Sequence, residues 1–164
     1  MPTLLPSWLS SAHARLVRKR PAVDALSTDA AVALVAEFAA AVRARDVPIL
    51  ESLMAPRFRA TVLGRTRSGL RPVTLSRRRY VAYLRSLLAH DLMTYDIEVD
   101  GVLFSTPSQV KLSTSVHFPG NTEFRTTFPE PPHVEAIVAM FLGRPVFTSV
   151  AYVPMAPNNR SRGP

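Results

Sequence analysis

The sequence predicts one α+β domain, in which three main helices pack on an antiparallel sheet. Through most of the first 90 residues, apolar side chains recur at the three- and four-residue spacing of amphipathic helices. From Leu92 onward, the spacing changes to the two-residue alternation that is typical of strands. With 164 residues, of which 47% are apolar and 20% are charged, the chain is long enough to bury one core.

Three segments begin with residues that start helices, because each has a Ser, Thr or Asp ahead of an apolar stripe. The expected N-caps are one of residues 27–29, then Asp46 and Ser76, for helices over residues 27–46, 46–56 and 76–90. Pro48 suits the first turn of the second helix, where its missing N–H costs nothing.

Strands are predicted where apolar residues alternate or run between turn signals. The predicted strands are residues 58–64, 93–104, 109–118, 133–142 and 145–154. Residues 65–74 contain Gly69 and Pro72 and are predicted to form a loop. Residues 142–145 are predicted to form a short hairpin turn between the last two strands.

The last two predicted strands are apolar on both faces. Val134, Ala136 and Val138 alternate with Ile137 and Ala139, so apart from Glu135 at the start of the strand both faces are apolar. Helices of so short a chain can cover one face of the sheet, which leaves the other face without cover. We therefore predict a homodimer through the outer face of these strands.

The chain is predicted to contain a basic N-terminal helical extension (1–26), one folded domain (27–155) and a disordered tail (156–164). The first 23 residues contain no acid. One side of the extension carries apolar residues at helical spacing: Leu5, Trp8, Leu9, Ala12 and Leu16. Two interpretations are open, a mitochondrial transit peptide or a helix that docks on the domain. Without a targeting role, the predicted location is the cytoplasm.

Composition excludes several classes of protein. The formal charge of +8 divides into +10 over residues 1–90 (15 basic, 5 acidic) and −2 over residues 91–164 (5 basic, 7 acidic). Such a field attracts anions, but the aromatic residues among the arginines have core spacing, so no nucleic-acid-binding surface is predicted. No apolar run approaches the roughly 20 residues of a membrane span.

The sequence also predicts no metal and no cofactor. The absence of cysteine excludes disulfides, thiolate metal sites and a cysteine nucleophile. The four histidines lack the spacing of metal ligands, and no phosphate-binding or dinucleotide-binding fingerprint is present.

The order of helix, short helix, strand, helix and long strands resembles the NTF2-like superfamily, in particular its SnoaL-like and ketosteroid isomerase-like branch. The resemblance covers roughly residues 28–155. It is carried by AAVALVAEFAAAVRARDVPILESLMAPRFRATV, by SRRRYVAYLRSLLAHDL and by the closing strands through AYVPM. The resemblance implies a cone, in which helices close one side of a bent sheet around an apolar pocket.

The resemblance also implies two classes of function. The first is a cofactor-independent isomerase, cyclase or dehydratase that acts on an apolar, polyketide-like or terpenoid-like small molecule by general acid–base catalysis. The second is a non-catalytic module on the same fold that binds a small molecule or a protein. The aspartate that isomerases carry on the first strand is missing, since Arg59 and Thr61 occupy that strand here.

The candidate catalytic residues come mainly from the polar stretch 115–137. We predict Glu135 as the principal base, because it starts the most apolar strand and desolvation makes a carboxylate bind a proton more readily. His117, Tyr83 or Tyr95 is the predicted acid.

Glu123 and Arg125 are further candidates, since the hydrolase branch pairs a carboxylate and an arginine at this two-residue spacing. The arginine would keep the acid ionised and would orient it. His117 lies on the polar face of its predicted strand, so it points away from an apolar pocket unless a bulge turns it.

Overall fold

The computed structural model describes residues 25–90, 95–119 and 132–153. These residues form three helices and one six-stranded sheet. In chain order the elements are α1 (Thr28–Arg43), α2 (Val47–Ser52), β1 (Met54–Thr66), β2 (Gly69–Ser76), α3 (Arg77–Leu88), β3 (Asp96–Ser105), β4 (Gln109–His117), β5 (His133–Phe141) and β6 (Arg144–Val153). The predicted N-terminal helix and the predicted tail lie outside the described residues.

The first two helices begin at the predicted caps. The Ser27 hydroxyl accepts a hydrogen bond from the Ala30 N–H at 3.0 Å, and the Asp46 carboxylate accepts one from the Ile49 N–H at 3.2 Å. Each bond satisfies an N–H that the helix itself leaves unpaired. The two helices are therefore positioned by local signals that the sequence displays.

The third helix starts at the predicted position, but its cap differs from the expectation. Ser76 is both the N-cap of α3 and the last residue of β2, and its side chain makes no capping hydrogen bond. Arg77 instead ties the helix start to α2, because its Nη2 donates to the Glu51 carbonyl oxygen at 2.9 Å. The buried face of α3 consists of Tyr80, Val81, Leu84 and Leu88.

The sheet has the order β2-β1-β6-β5-β4-β3. It is mixed, so the prediction of a purely antiparallel sheet was wrong: β1 runs parallel to β6, with Ala60 opposite Val150. Because β6 enters between β1 and β5, the last strand of the chain becomes central. The sheet is open at β2 and β3, and closure into a cone remains a prediction.

The predicted loop over residues 65–74 was also wrong, because most of it belongs to β2. A tight turn at Arg67 and Ser68 leads into Gly69, whose φ of 104° suits a residue without a Cβ. Pro72 cannot donate a ladder hydrogen bond, but β2 is an edge strand, where proline is tolerated.

The predicted turn between the last two strands is confirmed. Leu142 and Gly143 have φ values of 50° and 72°, and positive φ at both central positions matches the twist of an antiparallel hairpin. The core lies between the helices and one face of the sheet, where Phe38 of α1 meets Phe147 of β6 edge to face at 5.5 Å. No helix of the described residues is long and apolar enough to cross a membrane.

Candidate functional site

A pocket of about 340 Å³ opens between α3, α1 and the sheet. None of the residues that the structure describes along its wall is charged. The volume is within the range of about 300–1,000 Å³ for small-molecule sites, which are also mainly apolar. The pocket is thus shaped for an apolar molecule of small size.

Strand alternation explains why the wall is apolar. Thr114 and Val116 of β4 lie beside Val134 and Ala136 of β5, and Thr114 pairs directly with Val134. Side chains that pair across two strands share a face of the sheet, so these residues all line the pocket. The hydroxyl of Thr114 donates to the Val134 carbonyl oxygen at 2.8 Å, which satisfies it within the sheet.

Tyrosines supply polar atoms of this wall. Tyr80 and Tyr83 of α3 stack with ring centroids 6.0 Å apart, and Tyr95 lies just before β3. The Tyr80 ring contacts Phe58 at 5.3 Å, and the Tyr95 ring contacts Phe118 at 5.6 Å. The hydroxyls are therefore held on an aromatic surface rather than on mobile side chains.

Burial raises the pKa of all three of these tyrosines, because a phenolate would lose its hydration. The pKa values of Tyr80 and Tyr95 also respond to their mutual hydrogen bond, which lowers that of Tyr80 and raises that of Tyr95. All three hydroxyls stay protonated at neutral pH, so each keeps a proton that it can donate.

The structure places Glu135 outside this pocket. Its strand neighbours Val134 and Ala136 line the pocket, so Glu135 points to the opposite face, where it pairs across strands with Ser113. Its carboxylate forms an ion pair with the Lys111 ammonium. The apolar residues that suggested a desolvated base lie beside it on this outer face, so the expected access to the pocket was wrong.

His117 also lies away from the pocket wall, as its position on the polar face of β4 indicates. Its Nε2 is 3.5 Å from the Glu98 carboxylate, across the β3–β4 pairing. Tyr83 and Tyr95, by contrast, both line the pocket. Glu123 and Arg125 lie outside the described residues, so their role stays a prediction.

Sequence reasoning missed Tyr80 as a functional candidate, because its spacing with leucines indicated core packing. It does pack, being only 8% exposed, yet it lines the pocket as well. A usable signal was present, since Tyr80 and Tyr83 are three residues apart on one helix face.

A second polar cluster joins Asp100, Ser115 and His133 on the outer face of the sheet. The Ser115 hydroxyl donates to the two Asp100 carboxylate oxygens at 2.9 and 2.7 Å. The His133 Nδ1 is 3.3 Å from both the Ser115 oxygen and the Asp100 Oδ2. In a hydrolase triad, one ring nitrogen of the histidine contacts the serine and the other contacts the carboxylate. Here the same nitrogen of His133 faces both groups, so the cluster lacks the triad geometry and links strands β3, β4 and β5.

The residues that the structure describes contain no group of three or more histidine and acidic side chains suited to a metal ion.

Comparison with known proteins supports the fold. No protein family and no curated protein matches the chain. An NTF2-like protein of unknown function from Shewanella oneidensis superposes with a TM-score of 0.59 at 10% identity, over 77% of this chain and 98% of its own. Another from Silicibacter pomeroyi gives 0.55 at 18% identity, over 76% and 92%.

A candidate scytalone dehydratase from Novosphingobium aromaticivorans gives a TM-score of 0.55 at 12% identity, over 83% of this chain and 94% of its own. These likenesses show that the chain has the NTF2-like fold.

Proposed function

We propose that this chain binds a neutral, largely apolar small molecule in the pocket, and that tyrosine hydroxyls donate hydrogen bonds to an oxygen atom of that molecule. One observation carries the proposal: the described wall is uncharged but holds the buried tyrosines Tyr80 and Tyr95. A hydroxyl in an apolar wall gives a ligand its orientation, while the apolar surface supplies most of the affinity.

The wall also specifies the charge of the ligand. A buried carboxylate or ammonium without a charged partner is strongly disfavoured, and the described wall offers no such partner. The rings of Tyr80, Phe58 and Tyr95 favour a planar ligand, because aromatic pairs gain attraction beyond the area that they bury.

A SnoaL-like isomerase, cyclase or dehydratase is the second candidate, and the Tyr80–Tyr95 pair favours it. Protonated hydroxyls aimed at a carbonyl oxygen stabilise the negative charge that develops there during proton abstraction. Tyr83 and Tyr95 keep their proposed role as acids. In place of Glu135, Glu123 is now proposed as the base, with Arg125 as the partner that keeps it ionised. The similarity to a candidate scytalone dehydratase supports this chemistry only through the shared fold.

Neutral acetylnaphthalene is expected to bind in the pocket, whereas naphthoate, which has the same ring but a carboxylate, is expected not to bind. Tyr80→Phe is expected to weaken the binding of acetylnaphthalene about 2- to 10-fold, since a neutral hydrogen bond contributes about 0.5–1.5 kcal/mol. Isothermal titration calorimetry measures both effects. Equal affinities for the two probes, or unchanged binding to Tyr80→Phe, would contradict the proposal.

Incubation of the protein with a neutral ketone or alcohol distinguishes the binding module from the enzyme. Mass spectrometry that recovers a bound ketone or alcohol unchanged after long incubation favours the binding module, whereas loss of water or a shifted double bond favours the enzyme. Glu123→Gln keeps the size of that side chain and removes its basicity, so it should abolish turnover while leaving the binding of the probe intact.

We also propose a homodimer through the outer face of β5 and β6. In a single chain Ile137 and Ala151 on this face are only half-buried, and no helix of the described residues covers them. Sedimentation velocity over a wide concentration range is expected to show a dimer that dissociates on dilution. Ile137→Asp should yield a monomer, and a native chain that is monomeric at every concentration would refute the interface.

A further inference from the structure

An exposed apolar surface lies on β3, an edge strand of the sheet. Val102, Leu103 and Phe104 are consecutive residues and are 44%, 51% and 40% exposed. The register shifts between Val102 and Phe104, which pair with Leu112 and Lys111, so these two side chains lie on opposite faces of the sheet. Edge strands normally carry charges or are covered, since a bare apolar edge invites aggregation. We call these three residues the edge patch.

The N-terminal part of the chain joins the domain immediately beside the edge patch. The Leu26 N–H donates to the Pro107 carbonyl oxygen at 2.8 Å, and the Thr28 hydroxyl donates to the Ser105 hydroxyl at 3.3 Å. Leu26 is itself buried in the core, which fixes this point of attachment. Residues 1–24 therefore join the domain at the turn after β3, where Pro107 lies three residues beyond Phe104.

The sequence of residues 1–24 is complementary to this surface. One side of a helix there would present Leu5, Trp8, Leu9 and Leu16, the apolar stripe that the edge patch needs as cover. Pro21 would end such a helix and Pro6 suits its first turn, so a helix over residues 6–20 would extend about 22 Å, at ~1.5 Å per residue. The edge patch extends only about 10 Å, at ~3.3 Å per residue, so the segment reaches it with length to spare.

Charge contributes less to this match than the apolar side chains do. The other half of β3 carries three acids, Asp96, Glu98 and Asp100, and the Glu98 side chain is 74% exposed. The segment carries Arg15, Arg18, Lys19 and Arg20 and has no acid before Asp24. These acids already face partners in the domain, since Asp96 pairs with Arg43, Glu98 faces His117 and Asp100 accepts from Ser115. The apolar side chains therefore carry the match between the segment and the edge patch.

We propose that the edge patch is the docking surface for residues 1–24 of the same chain. The segment contributes apolar cover through its Leu and Trp side chains, and it shields the free backbone edge of β3. This proposal does not depend on the ligand of the pocket. It makes the N-terminal segment a part of the folded domain, in contrast to a removable targeting peptide.

The chain provides its own reporter, because Trp8 is its one tryptophan. In the full-length protein, Trp8 emission is expected to be blue-shifted relative to N-acetyltryptophanamide. Its acrylamide quenching constant should be several-fold lower, because docking removes the indole from water. Both values should be independent of protein concentration, since the segment docks on its own chain.

Leu103→Glu and Phe104→Glu, made separately, should each red-shift the emission and raise the quenching constant toward that of the free amide. Leu9→Glu, on the segment side, should do the same. Ile49→Glu is the matched control, because Ile49 is 41% exposed but lies on α2, far along the chain from β3. Circular dichroism verifies that each variant keeps the native fold.

Three results would overturn the proposal. Trp8 as accessible as the free amide would show an undocked segment. Protection that persists in both Leu103→Glu and Phe104→Glu would place the segment on another surface. Protection that disappears on dilution would mean that a second copy supplies the segment.

Discussion

Leu84→Ala is expected to lower the free energy of unfolding by about 2–5 kcal/mol. Leu84 is fully buried on the face of α3 that packs against the sheet. The substitution removes buried apolar surface and leaves a cavity that the rigid sheet cannot fill. Since domains are stable by about 5–15 kcal/mol in total, much of the stability would be lost.

Urea denaturation measures this effect, and Leu70→Ala is the matched control. Leu70 is 59% exposed, so its truncation should change stability by about 0.5 kcal/mol or less. Because α3 also carries Tyr80 and Tyr83, Leu84→Ala should weaken the binding of the neutral probe as well. A loss of stability as small as that of Leu70→Ala would mean that α3 does not close the core as described.

Alkaline pH is expected to destabilise the fold steeply, because the folded chain keeps protons that the unfolded chain releases. Burial raises the pKa of Tyr80 and Tyr95 in the folded state above the usual value of 10.0. Above about pH 10 the unfolded state therefore binds fewer protons, and stability falls as pH rises. Each tyrosine contributes a slope of about 1.4 kcal/mol per pH unit.

The stabilising contribution of these groups is thus complete below pH 10 and decreases toward their folded-state pKa values. Few other groups obscure the measurement, since the chain has two lysines and no cysteine. Urea denaturation at several pH values should give a slope that Tyr95→Phe reduces by up to about 1.4 kcal/mol per pH unit, with the contributions of Tyr80 and Tyr83 remaining. Ultraviolet absorbance that shows every tyrosine ionising at pH 10 in the folded protein would contradict the burial of the pair.

The helices of this fold could be predicted because their signals are local. Ser27 and Asp46 cap the helices that follow them, and the apolar spacing of α3 identifies its buried face. β2 was missed since its Gly69 and Pro72 are typical of loops, and only its position at the sheet edge makes them acceptable in a strand. The parallel pairing of β1 with β6 has no local signal, because it joins opposite ends of the domain.

The residues that line the pocket could be predicted only where the alternation of side chains along one strand shows which of them share a face. Alternation along β4 correctly separated Thr114 and Val116 from His117. Glu135 was misjudged because apolar neighbours on a strand do not reveal which face meets the helices. Its partner, Lys111, lies on another strand, and such cross-strand contacts depend on register that the sequence does not display.

The position of β6 between β1 and β5 sets the order in which the domain can be completed during synthesis. Met54 of β1 pairs with Phe147 of β6, so this pairing can form only after β6 has been synthesised. In contrast, β5 and β6 can pair as soon as both are made, because a tight hairpin joins them. Pairings between residues far apart in the chain form slowly, since the chain loses conformational entropy on closing the loop before any stabilising contact forms. When everything up to β5 has been made, the sheet is therefore still in two parts, β1 with β2 and β3 with β4 and β5. The exposed edge of β1 needs protection until the final strand emerges.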